Sequence, residues 1–147
     1  MRLTQYTDYS LRVLIYLATQ DREKLSNIKE IADVYRISKN HLMKVTFELG
    51  KLGYIETVRG RNGGIRLALQ PETINIGEVV RQTEEDFYLV ECFDADRNAC
   101  IISPACRLKH LLNDALKAYI SVLDQYTLAD IVVNDKKLLE LFSEQKN

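Results

Sequence analysis

Cys92, Cys100 and Cys106 are the only cysteines of the chain, and they fall within 15 residues in the run ECFDADRNACIISPACRLKH, spaced C-x7-C-x5-C. Three thiols on one loop can hold a metal ion or an iron–sulfur cluster, and an odd number leaves a coordination position for another ligand. Structural zinc favours close C-x2-C pairs, so gaps of seven and five residues suit it poorly. Catalytic zinc draws on histidines, and the chain has two, His41 and His110. Iron–sulfur clusters accept varied thiolate spacings. The segment is rich in turn formers (Asp94, Asp96, Asn98, Ser103, Pro104), so it can wrap a cubic cluster. A carboxylate, His110 or water can supply the fourth ligand. The plain alternative is three unligated thiols, but free cysteines usually sit among buried apolar groups and these sit among charges.

The rest of the chain sets the context for that loop. It has 147 residues, 46% hydrophobic and 28% charged, as in a soluble globular protein of one domain or one small domain with an extension. Residues 11–19, LRVLIYLAT, are too short for a membrane span and are flanked as in an amphipathic helix. A cytoplasmic protein without a membrane partner is expected. That compartment is reducing, which favours ligand or reactive thiols over disulfides. Residues 1–70 carry 12 Lys/Arg against 7 Asp/Glu, a balance of +5; residues 71–147 carry 8 against 14, a balance of −6. A basic half followed by an acidic half suggests that the first half meets a polyanion.

Apolar periodicity places a first helix over residues 3–20. Ser26 or Asn27 caps a second helix whose inner face is Ile28, Ile31, Ala32 and Val34. Tyr35-Arg36-Ile37 is a turn, and Ser38 caps a third helix with Leu42, Val45, Leu49 and Leu52 facing inward. Gly50 and Gly53 weaken and then end it. Tyr54–Val58 and Ile65–Leu69 read as strands joined by the glycine-rich loop Gly60-Arg61-Asn62-Gly63-Gly64. Ile74–Thr83 reads as a short helix. Pro104 suits the first turn of a long helix ending near Gln125. A short helix capped by Thr127 follows, and then one over Asp135–Phe142.

Two short helices, a tight turn and a β-hairpin make a winged helix-turn-helix. The expected fold is mainly α with a small β-hairpin wing, plus a long dimerisation helix. Residues 1–72 form the DNA-binding region. Residues 73–147 hold the cluster-binding loop (about 88–106), the dimerisation helix (about 104–126) and the C-terminal helices, in one compact subunit. The second helix of such a pair can enter the major groove and read base edges from its first turns. Those turns carry Ser38, Lys39, Asn40, His41 and Lys44. Asn40 can pair bidentately with adenine, while Lys39, His41 and Lys44 can reach bases or phosphates. Arg59, Arg61, Asn62 and Gly63 form a wing suited to a minor groove or a phosphate clamp. Solvation of an exposed face explains each residue singly; the ordered set points to DNA. Leu108, Leu111, Leu112, Ala115, Tyr119, Val122 and Tyr126 form a stripe suited to a homodimer seam, which would match a pseudo-palindromic operator.

The segments MRLTQYTDYSLRVLIYLA, RISKNHLMKV, RGRNGGIRLA and INIGEVVRQTE, with the spaced cysteines after them, resemble the Rrf-type family of winged-helix regulators. The likeness runs from residue 1 to about residue 130 and is strongest to the family's dimeric repressors of nitrosative-stress genes. It implies that Cys92, Cys100 and Cys106 ligate a 4Fe-4S cluster and that an aspartate from the partner's first helix completes it; here that residue is Asp8. Arg12 stands at the i+4 spacing for an ion pair with Asp8 and could hold it or offset cluster charge. Taken alone, Asp8 is an ordinary acid in a helix's first turn. Members with a 2Fe-2S cluster place a histidine three residues after the third cysteine. Here that position is Lys109, and His110 comes one place later. Their first cysteine gap is also shorter, and both departures favour the 4Fe-4S reading.

The expected function is therefore a dimeric repressor that senses nitric oxide and releases its operators. The runner-up is a repressor that senses iron or iron–sulfur supply. A small iron–sulfur enzyme or electron carrier is a more distant class. It would leave the DNA-reading unit unexplained, and the chain shows no nucleophile–base pair or cofactor motif. A zinc-stabilised adaptor is a further class.

Overall fold

The computed structural model describes residues 1–147. Thr4 accepts a hydrogen bond from the Thr7 amide and starts α1, Gln5–Thr19. Its buried face is Val13, Leu14, Tyr16 and Leu17, with Thr7 and Ser10 sealed beside them. Asn27, rather than Ser26, caps α2, Ile28–Tyr35. Arg36 ends α2 in the left-handed region at φ 55°, and the Ile37 amide bonds back to Ala32. That reversal is the turn of the helix pair. Ser38 accepts from the His41 amide and starts α3, Lys39–Lys51.

Leu42, Val45 and Leu49 bury the inner face of α3, but Leu52 is exposed, contrary to the inward position its spacing suggests. The reason is local: α3 ends at Lys51, and Leu52 is its C-cap, followed by Gly53 at φ +86°. The chain turns away before Leu52 can reach the core.

The wing is an antiparallel hairpin of β1, Ile55–Val58, and β2, Gly64–Leu67, with Ile55 opposite Leu67 and Val58 opposite Gly64. The strands are one residue shorter at the outset of the first, and start one earlier and end two earlier in the second, than composition suggests. Ser26 pairs with Ile65 through two backbone hydrogen bonds of 2.8 Å, which fastens the wing to the loop before α2.

The second half packs on this head. A one-turn helix at Pro71–Thr73 leads to α4, Ile76–Thr83. Pro104 does not open the long helix. It lies in a separate 3-10 turn, Ser103–Ala105, and α5 runs Arg107–Leu123 with Cys106 as its N-cap. The extended backbone of Cys106 (ψ 110°) separates the two. Thr127 and Asp130 form a capping box on α6, Leu128–Ile131, and α7 continues to Lys146, beyond the expected Phe142. Phe142 is buried against Tyr16 and Tyr35, with ring centroids 5.1 and 5.5 Å away. One hydrophobic core joins residues of α1–α4, the wing, α6 and α7.

No residue of α5 is buried. Leu116, Ile120 and Leu123 are half-buried and attach it to the subunit, while Leu108, Leu111, Tyr119 and Val122 face outward with Tyr126 just beyond the helix. Ala115 is exposed with them and Leu112 half-buried at the margin.

Candidate nucleic-acid interface and metal centre

The Ser38 cap sets the first turn of α3 so that Lys39, Asn40, His41 and Lys44 are all exposed. Lys39 and Lys44 form no salt bridge within the chain, and neither do Arg59 and Arg61 of the wing. Some cations elsewhere are paired: Lys29 with Asp33, Arg66 with Glu56 and Glu23, Arg81 with Asp124. Four free cations on the reading helix and wing make a surface complementary to phosphate.

Gly63 lies where any side chain would collide, because a Cβ there would stand 2.0 Å from the Val58 carbonyl oxygen. The tight loop this permits, with Gly60 at φ +111°, presents Arg59, Arg61 and Asn62 to solvent. His41 is exposed but not free, since its ring lies 6.2 Å from that of Tyr9 on α1. Sequence periodicity did not single out Met43 and Phe47, which are 49% and 66% exposed on the same helix.

Asp8 lies on the outer side of α1. Arg12 grips it through two hydrogen bonds, Nε to Oδ1 at 3.0 Å and Nη2 to Oδ2 at 2.8 Å. The guanidinium lies 5.8 Å from the centre of the Tyr9 ring and 6.0 Å from that of Tyr35, within cation–π range of both. The Tyr35 hydroxyl donates to the Arg12 carbonyl at 2.9 Å, and burial pushes its pKa up. Arg12 is thus a hub, with a carboxylate on one side and aromatic rings on the others. The aromatic half of the hub had no signal in sequence spacing.

The cysteine segment has little regular structure and is held by short-range backbone turns and side-chain hydrogen bonds. Cys92 lies in the one-turn helix Glu91–Phe93. The Cys100 amide donates to Asn98 Oδ1 at 3.0 Å, and Asn98 Nδ2 donates to Ser103 at 3.0 Å. Glu91 accepts from the Ala99 amide at 2.6 Å and so ties the neighbour of Cys92 to the neighbour of Cys100. The thiols are free, Cys92 and Cys106 half-buried and Cys100 exposed. No three His, Cys, Asp or Glu side chains of the subunit converge on a common metal position. The donor set itself fits a cluster in its chemistry: three unpaired thiols on one segment, Cys100 exposed and Cys92 and Cys106 half-buried. Cys106 occupies the N-cap position of α5 without a side-chain cap hydrogen bond. His110 and Lys109 share with Cys92 a groove of about 610 Å³ closed by Phe87, Phe93 and Leu116.

A helix pair, a basic wing and a long apolar helix together define a winged-helix transcriptional regulator. Residues 3–134 match the Rrf2 family, described as an iron-dependent transcriptional regulator, and the chain belongs to that family. It is 67% identical to the HTH-type transcriptional regulator NsrR of Bacillus licheniformis over 97% of this chain and all of that one. It is 65% identical to NsrR of Bacillus subtilis strain 168 over 96% of this chain and 97% of that one. Among solved structures, T. potens IscR superposes with a TM-score of 0.70 at 25% identity, over 91% of this chain and 88% of that one. The oxidized form of Staphylococcus aureus CymR superposes at 0.72 and 25%, over 90% and 97%. No helix is long and apolar enough to cross a membrane.

Proposed function

We propose that this chain is a cytoplasmic, dimeric DNA-binding repressor that senses nitric oxide through a 4Fe-4S cluster and then releases its operators. The observation that carries the reading is a three-thiol segment on the same small chain as a reading head with four unpaired cations. The identity to NsrR regulators supports it. Cys92, Cys100 and Cys106 would hold the cluster, with Asp8 of the partner subunit as the fourth ligand. When bound, the cluster supplies iron that reacts with nitric oxide. Oxygen ligands bind soft iron–sulfur centres more weakly than thiolate, so Asp8 is the ligand that exchanges.

The residues of the chain supply the coupling. Arg12 holds Asp8 within its own helix, and ligation of the partner's cluster would give that carboxylate a competing arrangement. Tyr9 connects that pair to His41 on the reading helix. The outward face of α5 provides the dimer seam, with Leu108, Leu111, Ala115, Tyr119, Val122 and Tyr126 meeting their copies and Leu112 at the edge. In the two-fold dimer, Lys39, Asn40, His41 and Lys44 enter successive major grooves of a pseudo-palindromic operator, and Arg59 and Arg61 hold the flanks.

A second reading has one observation in its favour. His110 lines the same groove as Cys92, which suits a histidine-ligated 2Fe-2S cluster and a repressor that reports iron or cluster supply. Anaerobic purification, a visible spectrum and a nitric oxide titration against a palindromic promoter fragment separate the readings. A brown protein that bleaches and releases DNA supports the nitric oxide sensor. A brown protein that keeps its DNA throughout supports cluster supply as the signal. A colourless protein that binds DNA moves the cysteines to zinc or thiol chemistry.

A further inference from the structure

We propose that Phe47, with Met43 beside it, reads thymine in the operator by contact with the C5-methyl group. This rests on the proposed entry of α3 into the major groove and adds a residue that determines sequence choice.

The inner face of α3 is filled by Leu42, Val45 and Leu49, all buried, yet Phe47 is 66% and Met43 49% exposed. Steps of four and three residues put Asn40, Lys44 and Phe47 in one row along the helix, with Met43 adjoining. At 1.5 Å per residue Phe47 stands about 10 Å beyond Asn40, within reach of a groove about 12 Å wide. The ring is not loose. Lys51 Nζ lies 5.6 Å from its centre, and Lys51 is itself held by Glu48 at 3.4 Å.

Charge fixes what approaches. Lys39, Lys44, Arg59 and Arg61 are exposed and unpaired, so a polyanion is drawn to this face. Phe47 also borders a groove whose lining includes Glu48, Glu84 and Glu85 together with Lys44. The exposed Lys39, Lys44, Arg59 and Arg61 therefore bring DNA to the helix that carries Phe47. The only apolar group that base pairs display in the major groove is the thymine methyl, and an aromatic ring is one of its usual contacts.

The test uses the full-length protein and a duplex recovered by selection from random DNA, in which single thymines are replaced by deoxyuridine. One or two replacements per half-site should weaken wild-type binding about fourfold each, the worth of one buried methyl. Phe47→Ala should bind thymine and deoxyuridine duplexes equally at the position it reads, and Phe47→Leu should keep part of the discrimination. Circular dichroism checks that each variant is folded, as expected for an exposed residue. Sequence-specific binding that ignores every deoxyuridine overturns this inference alone, and so does a Phe47→Ala variant with an undiminished penalty. Selection that recovers no sequence overturns the groove reading itself, and the thymine contact with it.

Discussion

The Tyr9 ring on α1 faces the His41 ring on α3 at 6.2 Å, tilted by 38°. The Arg12 guanidinium lies on Tyr9 at 5.8 Å and clasps Asp8 with two hydrogen bonds. A continuous path of four side chains therefore runs from the carboxylate proposed as a cluster ligand to the helix proposed to read DNA. Replacing Tyr9 by alanine removes the middle of that path. Aromatic pairs contribute roughly 0.5–1.5 kcal/mol beyond area burial, so Tyr9→Ala should weaken operator binding by about 2–10-fold. Iron content should be unchanged. Gel-shift titration together with an iron assay checks both, and a parallel fall in iron would move Tyr9 from coupling to cluster retention.

Asp8→Ala is the sharper probe of the switch. The exposed Asp8–Arg12 pair is worth about 0.5 kcal/mol at most to stability, so the variant should melt within a few degrees of wild type. Its three cysteines should still take up iron. What it should lose is response: DNA affinity should differ by less than about twofold between nitric-oxide-treated and untreated protein, measured by fluorescence anisotropy. A full wild-type response in Asp8→Ala would remove Asp8 from the mechanism.

Much of this architecture is legible in the sequence because short-range chemistry dictates it. Ser38 and Thr127 announce helix starts through their side-chain oxygens, and both cap as expected. The wing is legible because its glycines fill positions that exclude a side chain, as Gly63 does. Errors arose where tertiary geometry overrides local preference. Pro104 suits a first helical turn, but the extended backbone of Cys106 interrupts the chain before α5. Leu52 continues a helical period that has already ended at Lys51. The Arg12 hub was half legible. The i+4 spacing exposed the Asp8 pair, while the stacking of Tyr9 and Tyr35 depends on how α1 crosses α2 and α3, which no local pattern records.

Gly77 governs how the second half docks. It is buried on α4, and a Cβ there would stand 2.0 Å from Asp124 Oδ1 and 3.0 Å from the Asp124 amide nitrogen. The same aspartate accepts from both Arg81 Nη atoms, at 2.7 and 2.6 Å, and its carbonyl accepts from Asn75 at 2.8 Å. The side chain could swing aside, but the backbone amide cannot. Gly77→Ala should therefore prise α5 from α4 and destabilise the subunit by about 1–3 kcal/mol, the usual result of overpacking. Because α5 carries the proposed seam, the same variant should shift sedimentation toward monomer. Wild-type melting with an unchanged sedimentation profile would show that α5 is not fixed by this contact.

The ion pair between Glu30 on α2 and Lys146 on α7 sets a pH dependence with a defined sign. The hydrogen bond from Lys146 holds the Glu30 carboxyl below its ordinary value of 4.5. A carboxyl depressed in the folded state stabilises the fold above its unfolded pKa, and the contribution disappears as pH falls through the lower folded value. The Glu30 and Lys146 side chains are 30% and 40% exposed, so solvent screening keeps the pair at about 0.5 kcal/mol, on the order measured for surface pairs. Wild type should therefore exceed Glu30→Gln in stability by about 0.5 kcal/mol at neutral pH, and the gap should close as pH falls from about 4.5 into the stronger acid range. Urea melts at a series of pH values measure it. A gap that stays constant across that range would mean that packing of Phe142 against Tyr16 and Tyr35, rather than the ion pair, secures α7.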